Sequence, residues 1–197
     1  MGIAAGFSPG PLLTLVITET LTHGFYSGVK VAIAPIFTDI PIIIVTLFVA
    51  TKLHDIENVL GVISLIGSCY VLYMAYESAR QKGQNSTQID TKPKSLTKGI
   101  FTNALSPHPY LFWLSVGAPT IAKSLDISII APILFMGGFY LLLIGSKVLL
   151  AVLVGKSRLL LNSSTYIYTM KFLALILCIF SIMLFIDGLN LLGLYEV

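Results

Sequence analysis

The chain has 197 residues, of which 56% are hydrophobic and only 11% charged, with a net charge of +3 and a mean hydropathy of +0.91. A soluble domain carries about 25% charged residues, so the composition excludes a soluble enzyme and describes an all-α integral membrane protein. The small basic excess sits mainly in loops, where it is a topology signal rather than a nucleic-acid footprint.

Segment one runs from about Gly2 to Leu21. Met1 is followed directly by Gly2-Ile3-Ala4-Ala5, without a basic leader, so this segment is expected to stay in the mature protein. Gly2, Gly6 and Gly10 recur every four residues and place a glycine stripe on one helix face, a spacing that permits close helix approach. Within the stripe lies Ser8-Pro9-Gly10-Pro11. Proline removes a backbone donor and clashes with the carbonyl one turn back, so two prolines at this spacing predict a broken helix. Glu19, near the far end, is expected at the membrane interface.

A turn over 22–28 leads to segment two, from about Val29 to Ala50, with Pro35, Asp39 and Pro41. A charge at mid-membrane costs roughly 2.5–3.5 kcal/mol on insertion scales, so a carboxylate there usually has a function. Asp39 is about ten residues in and is the candidate ion-coupling group. After a polar turn over 51–58, segment three spans about Val59 to Ala75, and Tyr70, Tyr73, Tyr76 and Glu77 crowd its end as an interfacial belt.

Residues 79–98 form a polar linker with Arg80, Lys82, Lys92, Lys94 and Lys98. Segment four, from about Gly99 to Ala122, carries Asn103, Ser106-Pro107-His108-Pro109, Trp113 and Pro119. It echoes the first break half a chain later. Such breaks survive in hydrocarbon only against protein or a water-filled cavity, and matching breaks in two halves point to a transporter's binding site. The candidate substrate-binding residues are therefore Ser8, Pro9, Gly10, Pro11, Asn103, Ser106, Pro107, His108 and Pro109. His108 joins Asp39 as a second titratable candidate for ion coupling.

Segment five, from about Ile127 to Val154, exceeds the roughly 20 residues needed to span, which leaves Lys147 inside it or at the membrane face. Lys156 and Arg158 are read as a short basic loop. Segment six runs from about Tyr168 to Leu194, with Cys178 central and Asp187 expected near the interface. Cys69 and Cys178 lie in apolar runs, with no disulfide or zinc spacing. No metal site and no cofactor are expected.

Six spans put both termini on one side. Basic residues gather in the loops after segments one, three and five, against Lys52 and Lys123 in the others. Basic loops face the cytoplasm, so both termini are expected outside and linker 79–98 inside. The single membrane domain, 1–197, then divides into three-span halves, 1–78 and 99–197. Halves with an odd number of spans insert upside down relative to each other, so the paired breaks predict a 3+3 inverted repeat.

These residues resemble the lysine exporter (LysE) family of amino-acid efflux proteins, also called the homoserine/threonine resistance (RhtB) family. That family shows a Pro-Gly-Pro in its first helix, a His/Arg-Gly turn, a Gly-Asp in its second helix, and a later Asn-Pro-Lys followed by Leu-Phe. Here the matching residues are Ser8-Pro9-Gly10-Pro11, His23-Gly24, Thr38-Asp39, Lys98-Gly99-Ile100-Phe101-Thr102-Asn103 and Ser106-Pro107-His108-Pro109-Tyr110-Leu111-Phe112. They cover most of 6–119. The last third matches in hydropathy alone. Four positions depart from the pattern: Ser106 and His108 flank Pro107 where the family has asparagine and lysine, Thr38 precedes Asp39, and Pro109 is a second proline.

The resemblance implies a secondary transporter of the plasma membrane, not an enzyme, that exports amino acids or similar small zwitterions by proton antiport. Freed backbone groups and a helix N-terminus would suit a carboxylate, and Asp39 an ammonium or the coupling cation. No Gly-x-x-x-x-Gly-Lys-Ser/Thr motif is present to bind ATP. The partners implied are a small-molecule substrate, a proton and the bilayer; a homo-oligomer is left open. The alternatives are a metal-ion exporter on the same scaffold, a membrane thiol–disulfide carrier and a non-transporting partner subunit. The roles of Glu19, Glu77, Lys147 and Asp187 stay open between function and interface.

Overall fold

Hydrocarbon offers no partners to backbone amides, so a chain this apolar must satisfy them internally. The structure is a computed structural model, describing residues 1–49, 56–80, 93–158 and 163–194, and among these there is helix and turn but no strand. The polar turn over 51–58 and the linker 79–98 therefore lie largely outside the described residues. The helices are α1 (Gly2–Phe7), α2 (Pro11–His23), α3 (Phe25–Ala32), α4 (Ala34–Val49), α5 (Ile56–Ala79), α6 (Ser95–Ala104), α7 (Pro107–Phe112), α8 (Ala118–Leu125), α9 (Ala131–Arg158) and α10 (Ser163–Leu191), with a π-helical turn at Trp113–Gly117.

Among the described residues, four helical stretches are long and apolar enough to cross a membrane: Phe25–Ile44, Asn58–Ala79, Ala131–Ser157 and Ser164–Leu191. The first and fourth expected segments are interrupted at their paired prolines, and the second carries a one-residue turn at Ile33, two residues before Pro35. α1 stops at Phe7 and α2 restarts at Pro11; α6 stops at Ala104 and α7 restarts at Pro107. Pro11 and Pro107 each occupy a helix's first turn, where the missing amide would have no partner anyway. Pro41 stays inside α4.

Three local expectations need correcting. The turn over 22–28 is a single residue: Gly24 has φ 93° and its amide reaches the Thr20 carbonyl at 3.0 Å. Glycine takes that left-handed conformation without a Cβ penalty, which lets α3 begin four residues before Val29. Lys156 and Arg158 are not in a loop but in the last turns of α9. The third correction, to Glu19, follows from the packing below.

α5 and α10 pack along their length. A Cβ on Gly61 would sit 3.0 Å from the Gly188 carbonyl, and one on Gly188 would sit 2.9 Å from Leu65. Small residues thus allow the close approach that helix pairs need where lipid removes the hydrophobic drive. The central core joins Leu15, Val16, Val31, Val71, Met74 and Leu177. A second cluster, Ile42, Trp113, Phe139 and Leu143, backs the two breaks. Large side chains such as Ile133, Leu134, Leu141 and Phe172 lie on the outside, as a lipid-facing surface requires.

Glu19 is not a solvated carboxylate. It is 2% exposed, accepts from Ser95 Oγ at 2.6 Å and pairs with Lys98 Nζ at 2.9 Å. Lys98 also meets Glu77 at 2.7 Å. This triad ties α2, α5 and α6 together beside the linker, away from the breaks.

Candidate functional site

The glycine stripe sets the site's first wall. A Cβ on Gly2 would lie 2.7 Å from the Phe139 carbonyl, and one on Gly6 2.6 Å from Ser146 Cβ, so both glycines press α1 onto α9. Gly10 meets nothing within 4 Å. It faces the open space that the break creates.

That space is a cavity of about 750 Å³ between the two breaks. Ser8, Pro9, Gly10 and Pro11 line it from one half, and Asn103, Ser106, His108 and Pro109 from the other. Asp39 on α4 also reaches it. Pro107 is buried and lines instead an adjoining cleft of about 370 Å³, which shares His108 and Asp187 with the main cavity.

Each break leaves a carbonyl without its helical amide, and a side chain supplies the partner. Tyr110 OH donates to the Ala104 carbonyl at 2.9 Å. Lys147 Nζ donates to the Gly6 carbonyl at 2.9 Å. Thr14 returns its own amide and hydroxyl to the Gly10 carbonyl, both at 3.1 Å, which starts α2 without a side-chain cap. That uncapped first turn lines the cavity at Pro11, Leu12 and Leu13, and a helix N-terminus carries positive potential.

Asp39 is 4% exposed and held from three elements. Asn103 Nδ2 donates to its Oδ1 at 3.0 Å, Tyr140 OH to its Oδ2 at 3.2 Å, and the neighbouring Thr38 Oγ1 to Oδ1 at 3.4 Å. Asn103 Nδ2 also contacts Thr38 Oγ1 at 2.6 Å. Trp113 adds a further neutral donor, and among the described residues no cation pairs with this carboxylate at hydrogen-bond range. His108 is exposed to the cavity and shares a hydrogen bond between Nδ1 and Ser106 Oγ at 3.2 Å.

Two residues that the sequence did not single out as site residues stand at the site. Tyr140 binds Asp39 from α9. Lys147, left between the membrane face and the interior, is 4% exposed and lines the cavity. The sequence leaves its depth open, because segment five is longer than a span needs. Asp187 is exposed and lies at the cavity's edge. Cys69 and Cys178 are free thiols outside the lining. Among the described residues no three His, Cys, Asp or Glu converge as a metal site.

The family model described as LysE type translocator matches residues 3–188. The chain is also similar to the uncharacterized membrane protein YahN of Escherichia coli (strain K12), with 26% identity over 124 residues. That alignment covers 58% of this chain and 55% of the relative, so the chain spans little more than half of that protein's length. No solved structure matches.

Proposed function

The chain belongs to the LysE type translocator family, whose members are membrane transporters and not enzymes, and from that premise we propose that it exports amino acids or similar small zwitterions by proton antiport. The observation that carries the proposal is the cavity between two broken helices with a buried carboxylate on its wall. Asp39 is the proposed coupling residue. Its neutral donors, Trp113 among them, hold a carboxylate in place without neutralising it, which leaves room for a proton or an ammonium. His108 is the second coupling candidate and meets substrate at the cavity's other side. Ser8, Pro9, Gly10, Pro11, Asn103, Ser106 and Pro109 bind substrate directly, and Pro107 sets the second break.

The architecture we propose has six spans in two inverted halves, 1–78 and 99–197, joined by linker 79–98. The packing supports an exchange of halves. α1 lies on α9 as α6 lies on α4; α2 touches α10 as α7 touches α5; α5 and α10 pair with each other. Exchanging α1 with α6, α2 with α7–α8, α4 with α9 and α5 with α10 maps these contacts onto themselves. Rocking one half against the other is then a natural route for alternating access. Both termini lie outside the plasma membrane and the linker inside. The cavity reaches Met1 and Asp187, so this conformation faces outward, with the Glu19–Lys98–Glu77 triad closing the inner end.

Proteoliposomes loaded with leucine, threonine or lysine test the proposal. Release is expected to require the protein and to accelerate with an imposed pH gradient. Gradient-independent release would remove proton coupling. Movement of a divalent metal with no amino-acid release would replace the proposal with the metal-exporter reading.

A further inference from the structure

The cavity holds a buried cation for which proton coupling at Asp39 has no use. Lys147 is 4% exposed, and the hydrogen bond to the Gly6 carbonyl at 2.9 Å engages one of its donors. An ammonium has three N–H donors and no acceptor. The ion pairs among the described residues join Lys98 to Glu19 and Glu77, and neither involves Lys147. Asp39, the buried carboxylate on the same cavity wall, has its oxygens engaged by Asn103, Thr38 and Tyr140. A buried charge needs a counter-charge to offset its lost hydration; Asp39 acts on Lys147 through space, and the partner at hydrogen-bond range is a neutral carbonyl.

The placement is ordered. Tyr140 and Lys147 are seven residues apart on α9, two turns on one face and about 10 Å along the axis. Asp39 meets α9 at the Tyr140 level and α1 ends at the Lys147 level. One wall of the cavity therefore presents a negative group and a positive group at two heights. The uncapped first turn of α2 adds donors near the positive one.

We propose that Lys147 is the specificity-determining residue that receives the substrate's carboxylate. The proposal rests on the cavity being the transport site. Lys147 rests on the Gly6 carbonyl that the helix break exposes. An arriving carboxylate draws the ammonium off that carbonyl and so releases the end of α1. Lys147 thus selects a free carboxylate over an amide or ester and links occupancy to the position of α1. A purely structural lysine would pin α1 without distinguishing substrates.

The test compares leucine, threonine and lysine with their carboxamides in proteoliposomes bearing wild type, Lys147→Gln or Lys147→Arg. Wild type is expected to favour each acid over its amide at least tenfold in kcat/KM. Lys147→Gln should raise KM for the acids at least tenfold with a smaller change in kcat, and leave the amides within threefold. Lys147→Arg should restore part of the preference. Equal losses for acid and amide, or unchanged discrimination, would overturn the proposal. A second measurement needs no variant. Amine-directed labelling of Lys147 in wild type, read by mass spectrometry, should be slowed by the acids and not by the amides. Protection by neither, or by both alike, overturns the role of Lys147 even where transport proceeds. Absence of transport with acid-specific protection would instead sink the exporter reading and keep the site.

Discussion

Asn103 is the hub of the polar cluster, because one amide nitrogen serves both Thr38 Oγ1 and Asp39 Oδ1. Removing a partner from a buried polar group costs about 1–3 kcal/mol, more than a hydrogen bond contributes net. Asn103→Ala is therefore expected to lower stability by about 1–3 kcal/mol, and Tyr140→Phe by about 1 kcal/mol, measured by denaturant unfolding in detergent. Equal stability of Asn103→Ala and wild type would mean that Asp39 is held by its other donors. The residues divide clearly in how far the sequence exposes them. Asp39 stands out because a lone acid in an apolar run has few bland explanations. Glu19 and Lys147 do not, since a charge near a segment's end reads the same whether it snorkels to water or is buried. What distinguishes them is long-range: Glu19 is buried by Ser95 and Lys98, and Lys147 by the broken end of α1.

At the scale of elements, the two breaks follow from proline chemistry and the packing of α1 from glycine size, and both are readable from spacing alone. The stripe's three glycines nonetheless differ in role, which periodicity cannot reveal. Gly6 is pressed against Ser146, with 2.9 Å from its would-be Cβ to the Leu143 carbonyl, whereas Gly10 has nothing within 4 Å. Gly10 has φ 179°, an extended conformation open to any residue. Gly6→Val should thus cost about 1–3 kcal/mol by overpacking and loosen α1 from α9. Gly10→Ala should stay within about 0.5 kcal/mol of wild type. Equal effects in a thermal-shift assay would contradict this division. The linker-side triad makes a third case. Lys98→Ala leaves Glu19, 3% exposed in its side chain, without its counter-ion. Removing one partner of a buried pair costs about 3–5 kcal/mol, and Lys98's own 21% exposure argues for the lower end of that range or less. Unfolding of Lys98→Ala at wild-type denaturant strength would show the triad to be dispensable.

For the whole molecule, composition and the paired breaks already indicate a helical membrane protein with one central site. The charge pattern of the loops adds an expected orientation. What the sequence conceals is the contact of α2 with α6 beside the linker, because it joins residues more than seventy apart in the chain. In the proposed orientation that triad closes the inner end and leaves the outer end open. A Ser8→Cys variant in a Cys69→Ser, Cys178→Ser background should accordingly react with a membrane-impermeant thiol reagent applied outside, and substrate should protect it. Coupling of export to protons is assigned to a carboxylate held between the two breaks, and everything else in the mechanism depends on that assignment. The most direct measurement is amino-acid efflux from preloaded proteoliposomes, wild type beside Asp39→Asn, with and without a pH gradient. Gradient-driven release is expected in wild type, and loss of that gradient dependence in Asp39→Asn, with the variant still folded. Gradient-driven release at the wild-type rate in Asp39→Asn would contradict the assignment and leave Asp39 a structural residue.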